Sequence, residues 1–182
     1  SVSPSAREFV SGKTWRIHNG SYGIINLDSI FEPTEMCYAY AFEYIYVNST
    51  RTVLLDVCSD DGVGIWLNGE LVHSRVRKGL GGALMYNRSV ERGASLEDVV
   101  TITLDKGWNR LLLEIYQWKG SWEFYVKFRD LGGKPITNIE FSTIKPEAFS
   151  NQPILTGQIG QPILIWQIGY SDESAEEFSL EW

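Results

Sequence analysis

The sequence predicts an all-β chain folded as an antiparallel β-sandwich of jelly-roll type. Apolar and polar side chains alternate with a period of two over most of the chain, and helical periodicity is nearly absent. Turn signals punctuate the alternation, among them Asn68-Gly69, the strongest short hairpin signal, and Asp61-Gly62. Many short strands separated by turns are typical of sandwiches and barrels.

Each predicted strand has one apolar face. In chain order the segments are 38–47, 52–58, 62–69, 98–105, 110–118 and 121–130. The parity predicts the following buried side chains: Val63, Ile65, Leu67, Val100, Ile102, Leu104, Leu111, Leu113, Ile115, Trp122, Phe124, Val126 and Phe128. Trp122 is therefore assigned to the core.

The length and composition suit one packed domain, with 182 residues of which 43% are hydrophobic. We expect residues 1–146 to form the sandwich. Residues 147–161 are polar and rich in Pro and Gly, so 147–182 reads as a linker followed by a returning strand or by the start of another module. The first residues lack a signal peptide, which also fits a cleaved mature start.

The charge and the cysteines exclude several classes of function. A net charge of −7 argues against nucleic acid and anionic membrane surfaces as partners. No apolar run is long enough to span a bilayer, so membrane insertion is not expected. Cys37 and Cys58 have no metal-type spacing; they either form a disulfide or are both small buried residues, and we favour the second.

The turn order groups candidate loops at one end of the sandwich. If consecutive strands are joined as hairpins, the turn at 59–62, the long segment 74–96 and the loop at 117–121 share what we call the near end. Turns at 48–51, 68–69 and 105–107 share the far end. Long loops on a rigid scaffold are often functional, so we expect the site at the near end.

Trp118 is the strongest single candidate for ligand binding. It follows the end of its strand, where packing does not demand a large ring. An exposed indole can stack on a sugar ring and donate through its N–H. The alternative is a ring that folds back over its own loop.

Asp60 and Asp61 have two interpretations. Carboxylates accept hydrogen bonds from sugar hydroxyls and coordinate Ca²⁺. Acidic residues before a glycine also bond nearby backbone N–H groups and so fold a turn. We expect the pair mainly to fold the turn, with a ligand role kept open by its near-end position.

The long segment contributes Arg77, Tyr86 and Arg88 as further candidates. Arginine can hold a carboxylate through two parallel hydrogen bonds, and the cluster of basic residues in an acidic chain favours uronic-acid ligands. A solvated loop is the alternative. Glu43 and Asp56 would face each other in a symmetric hairpin, which is unfavourable for like charges and would need a shifted register or an intervening cation.

Two tracts, DDGVGIWLNG and KGWNRLLL, occur in order after YAYAFEYIYV. In this pattern the segment 15–136 resembles the galactose-binding-like jelly-roll modules of bacterial polysaccharide-degrading enzymes. The resemblance implies a β-sandwich, an extracellular or periplasmic setting and a carbohydrate ligand. Many such modules serve only as spacers or supports.

We therefore expect a non-catalytic carbohydrate-binding module of a secreted protein, and no enzyme, because no catalytic constellation is visible. Its ligand would be a polysaccharide or oligosaccharide. The candidate ligand-binding residues are Trp118, Tyr86, Arg88, Asp61, Asp60 and Arg77. Metal occupancy stays open, with structural Ca²⁺ as the ion considered. The alternative is an accessory domain that packs against the catalytic module of a lyase or glycoside hydrolase; exposure of Trp66 and Leu112 would favour it.

Overall fold

The structure, a computed structural model, describes residues 9–10, 13–14, 16–19, 24–32, 35–59, 61–76, 98–143 and 165–171. The regular elements in these residues are all β-strands, and no helix occurs among them. The prediction of an all-β chain is thus confirmed for the described residues. Their two main sheets are antiparallel, which is consistent with a β-sandwich.

The strands are short at the N-terminus and longest in the middle of the chain. They are β1 (Phe9–Val10), β2 (Lys13–Thr14), β3 (Arg16–Asn19), β4 (Ile24–Asn26), β5 (Cys37–Val47), β6 (Arg51–Ser59), β7 (Gly62–Leu67), β8 (Glu70–Val76), β9 (Asp98–Leu104), β10 (Gly107–Gln117), β11 (Glu123–Arg129), β12 (Glu140–Ser142) and β13 (Ile165–Ser171).

The strands divide between a larger and a smaller sheet. The larger sheet has seven strands, in the order β3-β13-β5-β10-β7-β8, and β12 also pairs with β5. The smaller sheet has four strands, in the order β4-β11-β6-β9. Strands β1 and β2 pair with each other. The predicted linker at 147–161 lies outside the described residues, whereas β13, which follows it, pairs with both β3 and β5.

The main core is built from the apolar faces that the sequence predicted. All thirteen side chains that the sequence assigned to a buried face belong to this one cluster, and Trp122 is fully buried in it. Period-two alternation determines which face of a strand is buried, so the parity could be read without knowing the partner strands. The prediction that Trp122 is a core residue is confirmed.

The assumption of hairpin connections is wrong for most of the chain. Strands β5, β7, β8 and β10 belong to the larger sheet and β6, β9 and β11 to the smaller, so most turns between them cross from one sheet to the other. Strands β7 and β8 do form a hairpin. Their turn residues Asn68 and Gly69 have φ values of 53° and 96°, as a type I′ turn requires.

The expected opposition of Glu43 and Asp56 is wrong for the same reason, because β5 and β6 lie in different sheets. Asp56 is buried and forms a two-pronged ion pair with Arg129, whose Nε and Nη2 donate to its two carboxylate oxygens. Glu43 shares the parity of Ala41 and Ile45 and is 1% exposed. Its carboxyl group therefore lies on the core side of the larger sheet.

The cysteines are not joined by a disulfide. Cys37 is a core residue, and burial, with a smaller contribution from Asp28, raises the pKa of its thiol to about 11. Cys58 is half-buried and has the opposite parity to its buried neighbours Val57 and Ser59. The prediction that both cysteines are small buried residues is confirmed for Cys37 and wrong for Cys58.

Candidate functional site

The predicted near end does bring the 59–62 turn beside the 118–121 loop. Oδ2 of Asp61 accepts a hydrogen bond from the backbone N–H of Trp118 at 2.6 Å and another from Lys119 at 3.3 Å. The long segment is attached to the same end, because Val76 pairs with Gly62 before it and Asp98 pairs with Val57 after it. Strand direction reverses at each turn whether the turn is a hairpin or a crossing, so the grouping of the turns survives the wrong topology.

The carboxylate of Asp61 joins the 59–62 turn to the 118–121 loop. Its carboxylate bonds to the 118–121 loop, while Oγ of Ser59 donates to the carbonyl of Gly62 at 2.9 Å across the turn itself. The expectation was a carboxylate that bonds nearby backbone N–H groups and folds its own turn; instead the N–H groups that Asp61 accepts from lie 57 and 58 residues away in the other loop. Asp60 lies outside the described residues.

Trp118 is presented to solvent by a loop that is fixed on several sides. Its side chain is 47% exposed. Its backbone N–H donates to Oδ2 of Asp61, and its backbone carbonyl accepts a hydrogen bond from the backbone N–H of Met36 at 2.9 Å. The amide of Gln117, a fully buried side chain, donates to the carbonyl of Gly120 at 2.9 Å. A ring on an ordered loop loses little entropy when it binds a ligand.

Further apolar side chains lie near Trp118 in the chain or through backbone pairing, and sequence reasoning missed them. Tyr38 and Tyr116 are cross-strand partners with ring centroids 4.9 Å apart, and both are half-buried. Met36, next to Trp118 through the backbone hydrogen bond, is 62% exposed. We call these four residues the rim patch: Met36, Tyr38, Tyr116 and Trp118. The two-residue spacing of Tyr116 and Trp118 was readable in the sequence, but the pairing of Tyr116 with Tyr38 was not.

The rim patch continues along the outer face of the larger sheet, the face turned away from the main core. The next cross-strand pair is Glu114 and Tyr40, and the tyrosine hydroxyl donates to Oε2 of Glu114 at 3.1 Å. Burial raises the pKa of Glu114, and the hydrogen bond from Tyr40 offsets part of that rise. Burial also raises the pKa of Tyr116, with smaller contributions from Tyr38 and Asp61.

The centre of the outer face is a second apolar cluster. Its buried members are Tyr40, Phe42, Tyr44 and Leu112, and Tyr38, Trp66 and Trp108 pack against them. Leu112 is 4% exposed and Trp66 is half-buried. The exposure that would have favoured a docking face for a catalytic module is therefore absent at Leu112.

The basic residues of the long segment are represented among the described residues by Arg75. Its Nε lies 2.6 Å from Oδ2 of Asp98, and its Nη2 donates to the carbonyl of Ser59 at 3.1 Å. His73 lies 3.2 Å from the same Asp98 oxygen. These contacts join β8 to β9, the edge strands of the two sheets, so the charge of Arg75 serves the fold. Arg77, Tyr86 and Arg88 lie outside the described residues.

No group of three or more His, Cys, Asp or Glu side chains in the described part of the chain is arranged to hold a metal ion. Nor does that part contain a helix long and apolar enough to cross a membrane. We compared the chain with protein-family models, with curated proteins and with solved structures, and none of the three comparisons finds a match.

Proposed function

We propose that this chain is a non-catalytic carbohydrate-binding module, part of a secreted protein that acts on polysaccharides, with a sandwich of the galactose-binding-like jelly-roll type. The sequence resemblance supports the jelly-roll type and the extracellular or periplasmic setting. The proposed ligand is a polysaccharide or oligosaccharide, bound at the near end. The proposed role is adhesion to substrate on behalf of a neighbouring catalytic module.

The observation that carries the proposal is the half-exposed indole of Trp118 on a loop fixed by Asp61, Met36 and Gln117. A large exposed ring costs free energy in water unless something covers it. Here the backbone holds the ring outward. Tyr116, two residues before Trp118, and its partner Tyr38 add apolar surface near the loop and carry hydroxyl groups that can bond to sugar hydroxyls.

The small area of the site predicts modest affinity for a single sugar. A shallow surface of one exposed ring and two half-buried rings removes little area from water on binding. Polar contacts to hydroxyls add little net free energy, because they replace hydrogen bonds to water. Such sites gain strength when several act on one polymer chain. Polymeric ligands should therefore bind better than their monosaccharides.

The test is Trp118→Ala, measured by isothermal titration with the polysaccharide that the wild-type chain binds best. We expect binding to fall below detection, because the variant removes the stacking ring. Thermal stability should change little, since the ring is half-exposed and buries little area. A matched control is Leu131→Ala in the turn after β11, a side chain that is 65% exposed and remote from the near end.

Unchanged affinity in Trp118→Ala would exclude the near-end site. A large loss of stability would show instead that the ring is structural. Equal loss of binding in Leu131→Ala would show that the assay reports general adhesion and not a site.

A further inference from the structure

We propose that Met36 is a second ligand-contacting residue of the near-end site, and that its thioether side chain and the indole of Trp118 together cover the apolar face of a sugar ring. This inference deepens the proposed function and rests on it. It accounts for an apolar side chain at a backbone position that suits asparagine or glycine better.

The backbone sets Met36 beside Trp118. Strand β10 ends with the pair of Gln117 and Cys37. The next step of the same register sets Trp118 opposite Met36, and the N–H of Met36 donates to the carbonyl of Trp118 at 2.9 Å. The N–H of Trp118 donates to Asp61 instead of returning to Met36. The α-carbons of a hydrogen-bonded pair are about 5.5 Å apart, so one ligand can reach both side chains.

Met36 has a backbone conformation that its residue type disfavours. Its φ is 52°, in the left-handed region, where Cβ comes too close to the following carbonyl oxygen. In the described part of the chain two other non-glycine residues have positive φ, and both are asparagines, Asn68 and Asn138. Asparagine tolerates this region because its short polar side chain bonds the backbone nearby, which methionine cannot do. The fold therefore holds a methionine here at a cost in free energy.

The side chain of Met36 is also open to solvent. It is 62% exposed, and the side chain of Trp118 is 47% exposed. Strained backbone and exposed apolar surface are both features that concentrate at binding sites. Here they coincide in one residue, which is hydrogen-bonded to the loop that presents the candidate ring. An asparagine at position 36 would relieve both costs, so the structure points to the apolar side chain itself as the useful feature.

Methionine suits a contact with a sugar ring beside an indole. The faces of a sugar ring present C–H groups, and the thioether chain is unbranched, flexible and polarizable, so it can follow an uneven apolar surface. Covering it removes apolar area from water in addition to the area that Trp118 contributes. Neither contact depends on the charge of the sugar. The pair therefore recognises the face of the ring and leaves the choice between neutral and acidic polymers to other groups.

The experiment measures affinity and thermal stability together for Met36→Asn. Affinity is measured by isothermal titration with whichever of a neutral glucan, a neutral xylan and polygalacturonate the wild-type chain binds best. We expect the variant to bind about threefold to tenfold more weakly, because it loses the covered apolar area. Its melting temperature should stay the same or rise by about 2–4 °C, because asparagine tolerates positive φ. A purely structural residue would lose affinity and stability together.

Two further variants serve as controls. Met36→Leu keeps an apolar side chain of similar size in the same backbone conformation and should bind within about twofold of wild type. Leu131→Asn makes the same kind of change at a side chain that is 65% exposed, in the turn after β11 at the far end. It should leave binding unchanged.

The outcomes separate the two proposals. Wild-type affinity in Met36→Asn, with binding still lost in Trp118→Ala, overturns this inference and leaves the binding module standing. Weaker binding by Met36→Asn together with a lower melting temperature overturns it as well, because the residue would then be structural. Equal loss of affinity in Leu131→Asn has the same consequence. Binding to none of the three polymers overturns both proposals.

Oxidation of the thioether gives a second readout that needs no change at position 36. Hydrogen peroxide transfers one oxygen atom to the sulfur of methionine, which yields the sulfoxide and water. Peptide mass spectrometry resolves Met36 from the other methionine, Met85. Saturating polymer should slow the oxidation of Met36 in wild type and should not slow it in Trp118→Ala. An unchanged rate in wild type, at a polymer concentration that saturates the titration, overturns the inference.

Discussion

Replacing Glu43 with glutamine is expected to reduce the amount by which the free energy of unfolding falls as the pH rises. The carboxyl group is 1% exposed on the core side of β5, and neither oxygen has a hydrogen-bond partner among the described residues. It occupies a junction in the sheet, because β13 pairs with β5 up to Phe42 and β12 pairs with it from Tyr44. Burial raises its pKa well above the ordinary value of 4.5.

Glu43 makes stability fall with rising pH, because the folded chain binds its proton more tightly than the unfolded chain does. Below pH 4.5 both the folded and the unfolded chain hold the proton, and Glu43 contributes no pH dependence. Above that pH the unfolded chain releases the proton and the folded chain keeps it, so stability falls until the folded pKa is reached. The slope is about 1.4 kcal/mol per pH unit for as long as the folded group stays protonated.

The assay is urea denaturation of wild type and Glu43→Gln at pH 5, 6 and 7. The variant also buries an unpaired polar group, so the two proteins should be similarly stable near pH 4.5 and diverge above it, with the variant more stable. Burial also raises the pKa of Glu114, so stability falls with pH in both proteins for that reason as well. The measured quantity is therefore the difference in unfolding free energy between the two proteins. Glu70→Gln, which changes an exposed glutamate at the start of β8, is the control and should retain the wild-type slope. Parallel curves for wild type and Glu43→Gln would refute the reasoning.

Two further predictions concern polar groups that hold the sandwich together. Arg129→Ala leaves the buried Asp56 carboxylate without its ion-pair partner and should lower the free energy of unfolding by about 3–5 kcal/mol. The measurement is urea denaturation at pH 7, and a loss below about 1 kcal/mol would contradict a buried ion pair. Asn109→Ala removes a fully buried amide, whose oxygen accepts from the backbone N–H of Asp105 at 2.9 Å and whose nitrogen donates to the carbonyl of Asp105 at 2.8 Å. It should lower the free energy of unfolding by about 2–4 kcal/mol. The control Asn48→Ala, an exposed position at the same end of the sandwich, should be nearly neutral.

Six strands could be predicted from the sequence, because side-chain alternation is a local property of the chain; they are β5, β6, β7, β9, β10 and β11. The short strands β1 to β4 and β12 were missed, because two to four residues are too few to show an alternation. The parity that buries Leu111 and Phe124 needs no knowledge of the partner strand. The sheet to which a strand belongs is not local. Hydrophobic alternation looks the same on β5 and β6, so the crossing between them was misread as a hairpin, and Glu43 was wrongly placed opposite Asp56.

The candidate site was predictable in part for a similar reason. The proximity of Asp61 to Trp118 depends on strand direction, which alternates in either topology, and so it could be anticipated. The pairing of Tyr116 with Tyr38 depends on the register between β10 and β5, which are distant in sequence. That register is set by packing across the whole sheet, so the rim patch and its continuation to Glu114 became visible only in the structure.

The most direct test of the account is tryptophan fluorescence of the wild-type chain, titrated with neutral and uronic-acid polysaccharides in the presence and absence of Ca²⁺. We predict a saturable change with at least one of these polymers, because Trp118 is half-exposed and would be covered by the ligand. The change should not depend on Ca²⁺, since the proposed contacts are stacking and hydrogen bonds. Absence of any saturable response across the panel would contradict the binding function itself.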